Sequence, residues 1–344
     1  MPVMTCGSKL AHLLETYGVS HVFGIPGVHN VELYRGLWQT GIRHVSPRHE
    51  QGAGFMADGY ARASGRPGVA IVITGPGLTN IATAMGQAYG DSVPLLLISS
   101  VNRRHELGLG KGYLHELQNQ RNLSAGVTAF THTLQRASEL EDVLAAAFAV
   151  FNSSRPRPVN IEIPIDIGES KDEFDPAAAR AVRTTAPGPD PAAIAEAAAL
   201  LKAQKRVAIL AGGGAVKAAD QVARLAGRLK APVVTTTNAR GLLPVDHPLN
   251  ALFGIAYDEG RAVLDEAGAV LAIGTEFGET DYDYYSSGPL RPKAPLVRID
   301  IDPRMIALGP RAAVGLVADS GLAVEASIGR SGPSRRASAT RAGR

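Results

Sequence analysis

Short apolar runs rich in β-branched residues alternate with longer alanine-rich segments along the first half of this 344-residue chain. The runs are apolar throughout, as expected of strands buried on both faces of a parallel sheet. They predict strands at residues 21–23, 42–46, 69–73, 95–99 and 159–163. Helices are predicted at residues near 28–39, 50–64, 78–90 and 138–152. The alternation predicts an α/β fold, with a doubly wound, mostly parallel sheet and helices on both faces.

The second half repeats this alternation after a stretch that carries few large apolar residues. The pattern there predicts helices at 191–203 and 217–229 and strands at 207–211, 233–235, 270–273 and 296–299, which make a second doubly wound domain. After Asp319 the apolar periodicity stops, so we expect the end of the chain not to fold. The predicted organisation is a first domain over 1–167, a linker over 168–190 that ends in a Pro/Gly cluster, a second domain over 191–326 and a disordered tail over 327–344.

The positive charge of the chain is concentrated at its end. Residues 330–344 carry five arginines and no acidic residue, so the formal charge falls from +3 to −2 without them. The body has no nucleic-acid-binding signature, and we expect no nucleic-acid partner. No apolar run reaches the roughly 18 residues that span a bilayer, which predicts no membrane partner. The first residues predict a helix capped by Thr5 rather than a secretory signal, and the single cysteine suits a reducing compartment, so we expect a cytoplasmic location.

Residues 43–62, RHVSPRHEQGAGFMADGYAR, place a carboxylate where a predicted strand ends and a helix begins. Ligands of open α/β sheets bind at that edge. Ala53, Ala57 and Ala61 follow Glu50 at near-helical spacing, so the helix can bury one face while Glu50 stays at its N-terminal end. A glutamate in a first helical turn can also do no more than complement the helix dipole, and the pattern alone leaves that alternative open.

The same segment resembles the R-H-E-x-x-A-x-x-M-A-D-G-Y-A-R signature of the thiamine-diphosphate-dependent enzyme superfamily, which includes acetolactate synthases, benzoylformate decarboxylases and other 2-oxo-acid decarboxylases. The matching residues are Arg48, His49, Glu50, Ala53, Met56, Ala57, Asp58, Gly59, Tyr60, Ala61 and Arg62. In that family the glutamate hydrogen-bonds a ring nitrogen of the cofactor's aminopyrimidine and favours the imino tautomer, which takes the proton from the thiazolium carbon. The resemblance implies that thiamine diphosphate is the cofactor and that Glu50 is its activating, catalytic carboxylate.

Two glycine turns, FGIPG at 23–27 and TGPGLTN at 74–80, each follow a predicted strand and open a helix. Alone, each is typical of an ordinary turn. At their distances from Glu50 they resemble the family's G-x-P-G and G-P-G-x-x-N loops, where absent side chains let the backbone approach the aminopyrimidine. The resemblance implies a cofactor-binding set made of Gly24, Pro26, Gly27, Glu50, Thr74, Gly75, Gly77 and Asn80.

Residues 110–116, GKGYLHE, lie in a predicted loop and are not a Walker A motif, because no Ser or Thr follows the Gly-Lys pair. In acetolactate synthases the equivalent loop carries a Phe-Gln pair that faces the substrate, whereas this chain has Leu114 and His115. The departure favours a decarboxylase-like member with a different acyl substrate. His115 is predicted to be catalytic, as a proton donor or as a cation that recognises a carboxylate, although a surface histidine without a role stays open. His49 is expected to support the pocket.

The second domain contains a glycine turn, AGGGA at 211–215, that lacks the G-x-G-x-x-G spacing of a dinucleotide site. This part resembles the family's central domain, which holds FAD in some members, ADP in a few and neither in most, so we expect no FAD or ADP. The run DYDYY at 281–285 is typical of a loop, and no metal site is assigned to it.

The resemblance covers roughly residues 5–325. In the family a third domain carries a G-D-G…N motif that binds Mg²⁺ and the diphosphate, and no G-D-G follows residue 200. We therefore expect this chain alone to bind thiamine diphosphate weakly, with Mg²⁺ supplied by a third domain that is absent from it.

The implied function is that of a fragment or truncated member of the thiamine-diphosphate-dependent 2-oxo-acid decarboxylases or acyl-carbanion transferases, which are lyases and acetolactate-synthase-like enzymes. The implied partners are a small 2-oxo acid and either further copies, as a homodimer or tetramer, or a chain that carries the third domain. Whether this chain is an enzyme by itself stays open. The alternatives are one half of a split enzyme, a frameshifted gene, or a non-catalytic assembly subunit that pairs through apolar helix faces at 53–61 and 78–90.

Overall fold

The structure, a computed structural model, describes residues 2–281 and 290–330. The predicted tail from residue 331 onward and residues 282–285 of the DYDYY run lie outside the described residues. The chain divides into two units, Met1–Thr185 and Ala186–Arg344. Within the described residues, no helix combines the length and the hydropathy that a membrane crossing needs.

Most strands of the first unit form one parallel sheet. The strands are β1 (Val3–Thr5), β2 (His21–Gly24), β3 (Arg43–Val45), β4 (Gly68–Val72), β5 (Leu95–Val101), β6 (Phe130–Thr133), β7 (Val159–Pro164) and β8 (Lys171–Glu173). The helices are α1 (Cys6–Thr16), α2 (Val31–Arg35), α3 (Glu50–Ser64), α4 (Pro76–Gly90), α5 (Gln120–Ala125), α6 (Leu140–Ser153) and α7 (Ile165–Gly168). The sheet order is β3-β2-β4-β5-β7-β6, and β1 pairs with β8 in a separate antiparallel ribbon. This confirms the predicted doubly wound fold.

Three short strands of this unit, β1, β6 and β8, escaped prediction. Strand β6 lies at the edge of the sheet and is only partly buried, so its sequence lacks the apolar run of a central strand. Strand β8 falls inside the segment 168–190 that was predicted as an exposed linker. That prediction is wrong for residues 171–174, because β8 pairs with β1 and the Phe174 side chain is buried in the core.

Apolar side chains pack against both faces of the first sheet. Helices α1 and α6 cover one face, with Leu10 and Phe148 in the buried cluster. Helices α3 and α4 cover the other, with Ile81 and Met85 fully buried. These two helices include the apolar faces that suggested an assembly subunit, and the structure uses most of those side chains inside the domain itself.

The second unit has the same layered construction. Its strands are β9 (Val207–Ala211), β10 (Val233–Thr235), β11 (Ala269–Ile273), β12 (Leu296–Asp300) and β13 (Val314–Val317). Its helices are α8 (Pro191–Lys202), α9 (Ala219–Leu229), α10 (Asp258–Asp265), α11 (Pro303–Ala307) and α12 (Ser320–Arg330). All neighbouring strands are parallel, in the order β10-β9-β11-β12-β13. Strand β13 was not predicted, because its residues alternate between buried and exposed at the edge of the sheet.

Helix α12 corrects the expectation that the chain does not fold after Asp319. Ala323, Val324 and Ile328 recur on one face of this helix and are buried against the second sheet. The small residues between them hid this spacing in the sequence. The second unit therefore continues four residues beyond the predicted domain end at residue 326.

The burial of α12 predicts a measurable contribution to stability. Ile328→Ala should lower the free energy of unfolding of the second unit by about 2 kcal/mol, because it removes buried methyl groups and leaves a cavity. Hydrogen exchange of peptides that cover β9 should accelerate by roughly thirtyfold. Leu322→Ala is the matched control, since Leu322 lies on the same helix and is 47% exposed. Equal exchange rates in the two variants would show that α12 does not pack on this core.

Candidate functional site

Three loops of the first unit meet at the carboxyl edge of its sheet. The chain places β3 on one side of β2 and β4 on the other, so the connections after β2 and β4 diverge at this point. Ligands of open α/β sheets bind at such a switch point. The turn after β2 holds residues 24–27, the turn after β4 holds residues 73–75, and α3 begins beyond the end of β3. Both glycine turns and Glu50 therefore lie at the same edge.

Glu50 is the first residue of α3 and is half-buried. His49 caps this helix, with its Nδ1 accepting a hydrogen bond from the backbone amide of Gln51 at 3.1 Å. The side-chain amide of Asn80, in α4, donates to Oε2 of Glu50 at 2.9 Å. Across residues 2–281 and 290–330, no hydrogen bond to the other carboxylate oxygen is found. That oxygen can accept a hydrogen bond from a ligand.

The rest of the Glu50 signature stabilises the helix pair. Arg62 donates from Nε to Asp58 at 2.6 Å, one turn away, and from a terminal nitrogen to Asp91 at 2.7 Å. Gly54 lets α3 and α4 approach each other, since a Cβ at this position would lie 2.5 Å from the Cβ of Ala84. Much of the signature thus serves the packing that holds Glu50 in place.

Gly24 is the last residue of β2 and pairs with Ile71 of β4. A Cβ on Gly24 would lie 2.0 Å from the carbonyl oxygen of Ile71 and 2.3 Å from the hydroxyl oxygen of Tyr34. Tyr34 donates to that carbonyl at 2.8 Å, and burial together with the charge of Glu50 raises the pKa of Tyr34. Glycine is required here by contacts within the chain, and the place of Gly24 in the cofactor-binding set stays a prediction.

The remaining residues of the turn after β2 are held by hydrogen bonds to the side chain of Asn30. Asn30, fully buried, accepts from the amide of Gly27 at 2.7 Å and donates to the carbonyl of Ile25 at 3.2 Å. A Cβ on Gly27 would lie 2.6 Å from Cδ1 of Ile73, so the turns after β2 and β4 touch. Pro26 is exposed.

The turn after β4 is fixed by buried polar groups. Thr74 is fully buried, and its amide donates to the hydroxyl of Ser100 at 2.9 Å. Gly75 caps α4 with a φ of +62°, and its amide donates to Oε1 of Gln120 at 2.8 Å. A Cβ on Gly75 would lie 2.3 Å from the backbone oxygen of His115, and a Cβ on Gly77 would lie 2.9 Å from Ile73. Hydrogen bonds within the chain therefore hold this turn, and the backbone of His115 packs directly on it.

Gln120 and Glu162 form a buried polar network beneath this turn. Nε2 of Gln120 donates to the carbonyl of Ser100 at 2.9 Å and to Oε1 of Glu162 at 3.1 Å. The Thr133 hydroxyl donates to Oε2 of Glu162 at 2.6 Å. Burial raises the pKa of Glu162. Neither residue belongs to a motif of the sequence, although a glutamate inside the apolar run 159–163 was a usable signal.

Histidines surround this edge of the sheet. The ring of His115 meets the ring of His29 edge to face, with 5.7 Å between ring centroids. His44 hydrogen-bonds the carbonyl of Gly24 at 2.8 Å through Nε2. The sequence pointed to His49 and His115, whereas His29 and His44 lie outside the signature that begins at Arg48. The role of His115 stays a prediction.

The glycine turn of the second unit is explained by backbone packing. A Cβ on Gly212 would lie 2.3 Å from the carbonyl oxygen of Gly274, and one on Gly214 would lie 2.9 Å from its Cα. The loops after β9 and β11 therefore need glycine to pass each other. Asp281 accepts from the Thr275 hydroxyl at 3.0 Å. Among the described residues, no group of three or more potential metal ligands comes together.

Both units match sequence models of known proteins. Residues 4–123 match the sequence model described as "Thiamine pyrophosphate enzyme, N-terminal TPP binding domain", and residues 194–327 match the one described as "Thiamine pyrophosphate enzyme, central domain". The chain belongs to the thiamine pyrophosphate enzyme family. Its first unit therefore contains the family's cofactor-binding N-terminal domain, and its second unit contains the central domain.

Similar members of the family cover almost the whole chain. A probable 2-ketoarginine decarboxylase of Pseudomonas aeruginosa is 50% identical over 341 residues, which are 99% of this chain and 60% of that protein. The acetolactate synthase isozyme 1 large subunit of Escherichia coli is 33% identical over 93% of this chain and 55% of its own length. A probable acetolactate synthase large subunit of Methanocaldococcus jannaschii is also 33% identical, over 89% of this chain and 53% of its own length. The chain thus spans between half and two thirds of these relatives.

Because of the strand contact at Gly24, we expect opposite effects when each of two glycines of the first unit is replaced by alanine. Gly24→Ala should lower the free energy of unfolding by about 3 kcal/mol, because the added methyl group overlaps backbone. Gly59, inside α3, has no neighbour within 4 Å of a Cβ, so Gly59→Ala should raise stability by about 0.5–1 kcal/mol through helix propensity. Urea denaturation measures both. A neutral Gly24→Ala variant would contradict the close approach of β2 to β4.

Because the pKa of Glu162 is raised by burial, we expect the free energy of unfolding to fall as pH rises. Burial raises its pKa in the folded state, so its contribution to stability is fully present below the unfolded value of 4.5 and is lost as pH rises through the folded value. The parent should therefore become less stable relative to Glu162→Gln as pH increases above 4.5. Urea titrations at several pH values test this, with exposed Glu173→Gln as the control. A pH-independent difference between Glu162→Gln and the parent would disprove it.

Proposed function

We propose that this chain supplies the pyrimidine-binding half of the active site of a thiamine-diphosphate-dependent enzyme that decarboxylates a 2-oxo acid. The observation that carries the proposal is the Glu50 carboxylate, which lies at the switch-point edge with Asn80 on one oxygen at 2.9 Å. The same contact orients the other oxygen, which can accept a hydrogen bond from a ring nitrogen that carries a proton. The residues present therefore fit the aminopyrimidine of the cofactor.

When bound, thiamine diphosphate supplies the carbon nucleophile and the electron sink that decarboxylation of a 2-oxo acid requires. Glu50 holds the proton of the ring nitrogen, and partial burial strengthens that hydrogen bond. Asn80 keeps the carboxylate in one orientation. The turns at 24–27 and 74–77 form a preorganised wall, since each is fixed by contacts within the chain.

The proposed substrate class is a guanidino 2-oxo acid. The support is the 50% identity to a protein named as a probable 2-ketoarginine decarboxylase. Leu114 and His115 stand where acetolactate synthases carry Phe-Gln, which favours decarboxylation over acetolactate formation. We propose that His115 supplies a proton to the reacting carbon or a positive charge to the substrate carboxylate. The packing of the His115 backbone against Gly75 supports this role, because it places His115 beside the turn.

We further propose that the diphosphate and Mg²⁺ are held by a domain that corresponds to the unmatched part of the relatives. The chain forms a homodimer or tetramer, or it pairs with a partner chain that carries that domain. The non-catalytic assembly alternative loses one of its two motives, because most apolar side chains of the faces at 53–61 and 78–90 pack into the domain core.

The experiment uses a chimaera in which residues 1–330 replace the matching part of the Pseudomonas aeruginosa relative. Decarboxylation of 2-ketoarginine is measured as CO₂ release. Glu50→Gln should lower kcat at least ~100-fold, as expected for loss of an acid–base group. Glu196→Gln, an exposed glutamate on α8, is the matched control and should leave the rate unchanged. If Glu50→Gln kept most of the rate in an active chimaera, Glu50 would not be the activating carboxylate.

A further inference from the structure

The side-chain amide of Gln120 has every hydrogen-bonding group engaged. Its Nε2 donates to two acceptors, the Ser100 carbonyl and the Glu162 carboxylate, and its Oε1 accepts from the Gly75 amide. Reversing the amide would place a donor against the Gly75 amide and an acceptor against two acceptors. The network thus allows one orientation only. A buried network that is fully satisfied in this way is rigid.

This network reaches the Glu50 carboxylate through helix α4. Gly75 is the N-cap of α4, so the acceptor on Gln120 sets where the helix begins. The same helix carries Asn80, little more than one turn from that start, and Asn80 donates to Glu50. A shift of the helix start would therefore move the group that orients the carboxylate.

Glu162 anchors the far end of the network. It is 1% exposed, and its two oxygens accept from Gln120 and from Thr133. The positive charge of Arg121 also acts on it. A buried carboxylate with two donors is expensive to disturb, because removing either donor leaves an unsatisfied charged oxygen.

We propose that Gln120 and Glu162 are positioning residues of the cofactor site: they fix the start of α4 and so hold Asn80 on Glu50 before any ligand binds. The expected effect of this positioning is tighter cofactor binding, and that effect rests on the proposed function. The arrangement itself can be tested on this chain without cofactor.

The first test uses NMR on the full chain, labelled with ¹⁵N-glycine and ¹⁵N-asparagine. Gln120→Leu should accelerate exchange of the Gly75 amide proton by at least about tenfold, because it removes the acceptor. It should also shift the side-chain amide resonance of Asn80. Gln118→Leu is the matched control, since Gln118 is exposed and close in sequence. Unchanged Gly75 and Asn80 signals in a destabilised Gln120→Leu variant would overturn the proposal, since the network would then be structural only.

The second test measures thiamine diphosphate affinity of the chimaera by calorimetry with Mg²⁺. Gln120→Leu should raise the Kd for the cofactor by about tenfold, the effect of one lost hydrogen bond, and leave the KM for the 2-oxo acid unchanged. An equal rise in both constants would overturn the proposal. Loss of activity in Glu50→Gln is measured separately, so failure of the proposed function is distinguishable from failure of this inference.

Gln120→Glu keeps the test decisive if the leucine variant does not fold. The new carboxyl would face Glu162 and Arg121. At low pH one proton shared between the two carboxyls should preserve the hydrogen bond from position 120 to Glu162. The Kd of the variant for the cofactor should then match that of the parent. At higher pH both carboxyls ionise and repel each other, so the ratio of variant to parent Kd should rise with pH. A ratio that is constant with pH would overturn the positioning role.

Discussion

The hydrogen bond from Asn80 to Glu50 joins the first turn of α3 to the second turn of α4 at the edge of the sheet where the cofactor is proposed to bind. This contact depends on how closely the two helices pack, which Gly54 permits, and on where α4 begins, which Gln120 fixes through Gly75. The orientation of a single half-buried carboxylate thus depends on buried groups from several strands and helices. A carboxylate placed in this way needs little reorganisation when a ligand arrives.

The glycines of the motifs are required mainly by the protein's own packing. At Gly24 and Gly75 a side chain would overlap backbone atoms of the same unit, and at Gly212 it would overlap the neighbouring loop of the second sheet. Gly59, in the same signature as Glu50, has open space around its Cα. A family motif therefore mixes positions with different physical reasons, and the sequence pattern does not distinguish them.

The two units share one architecture but differ at the corresponding edge. In the first unit the switch point between β2 and β4 collects a carboxylate, an amide and histidines on rigid turns. In the second unit the switch point between β9 and β11 is closed by the contact of Gly214 with Gly274. The loop side chains, rather than the sheet, decide which edge can carry chemistry.

The sequence by itself determined the α/β fold, most central strands, the first turn of α3 with Glu50, and the two glycine turns. Local periodicity and turn chemistry are sufficient for these, because each is encoded by neighbouring residues. Strands β1, β6, β8 and β13 and helix α12 were decided by pairing and packing with distant segments, so local patterns did not reveal them. The Asn80–Glu50 contact, the Gln120–Glu162 network and the His29–His115 pair each join residues 30 to 86 positions apart. Only the parallel connectivity brings such residues to one edge, because every strand returns its carboxyl end to the same side of the sheet.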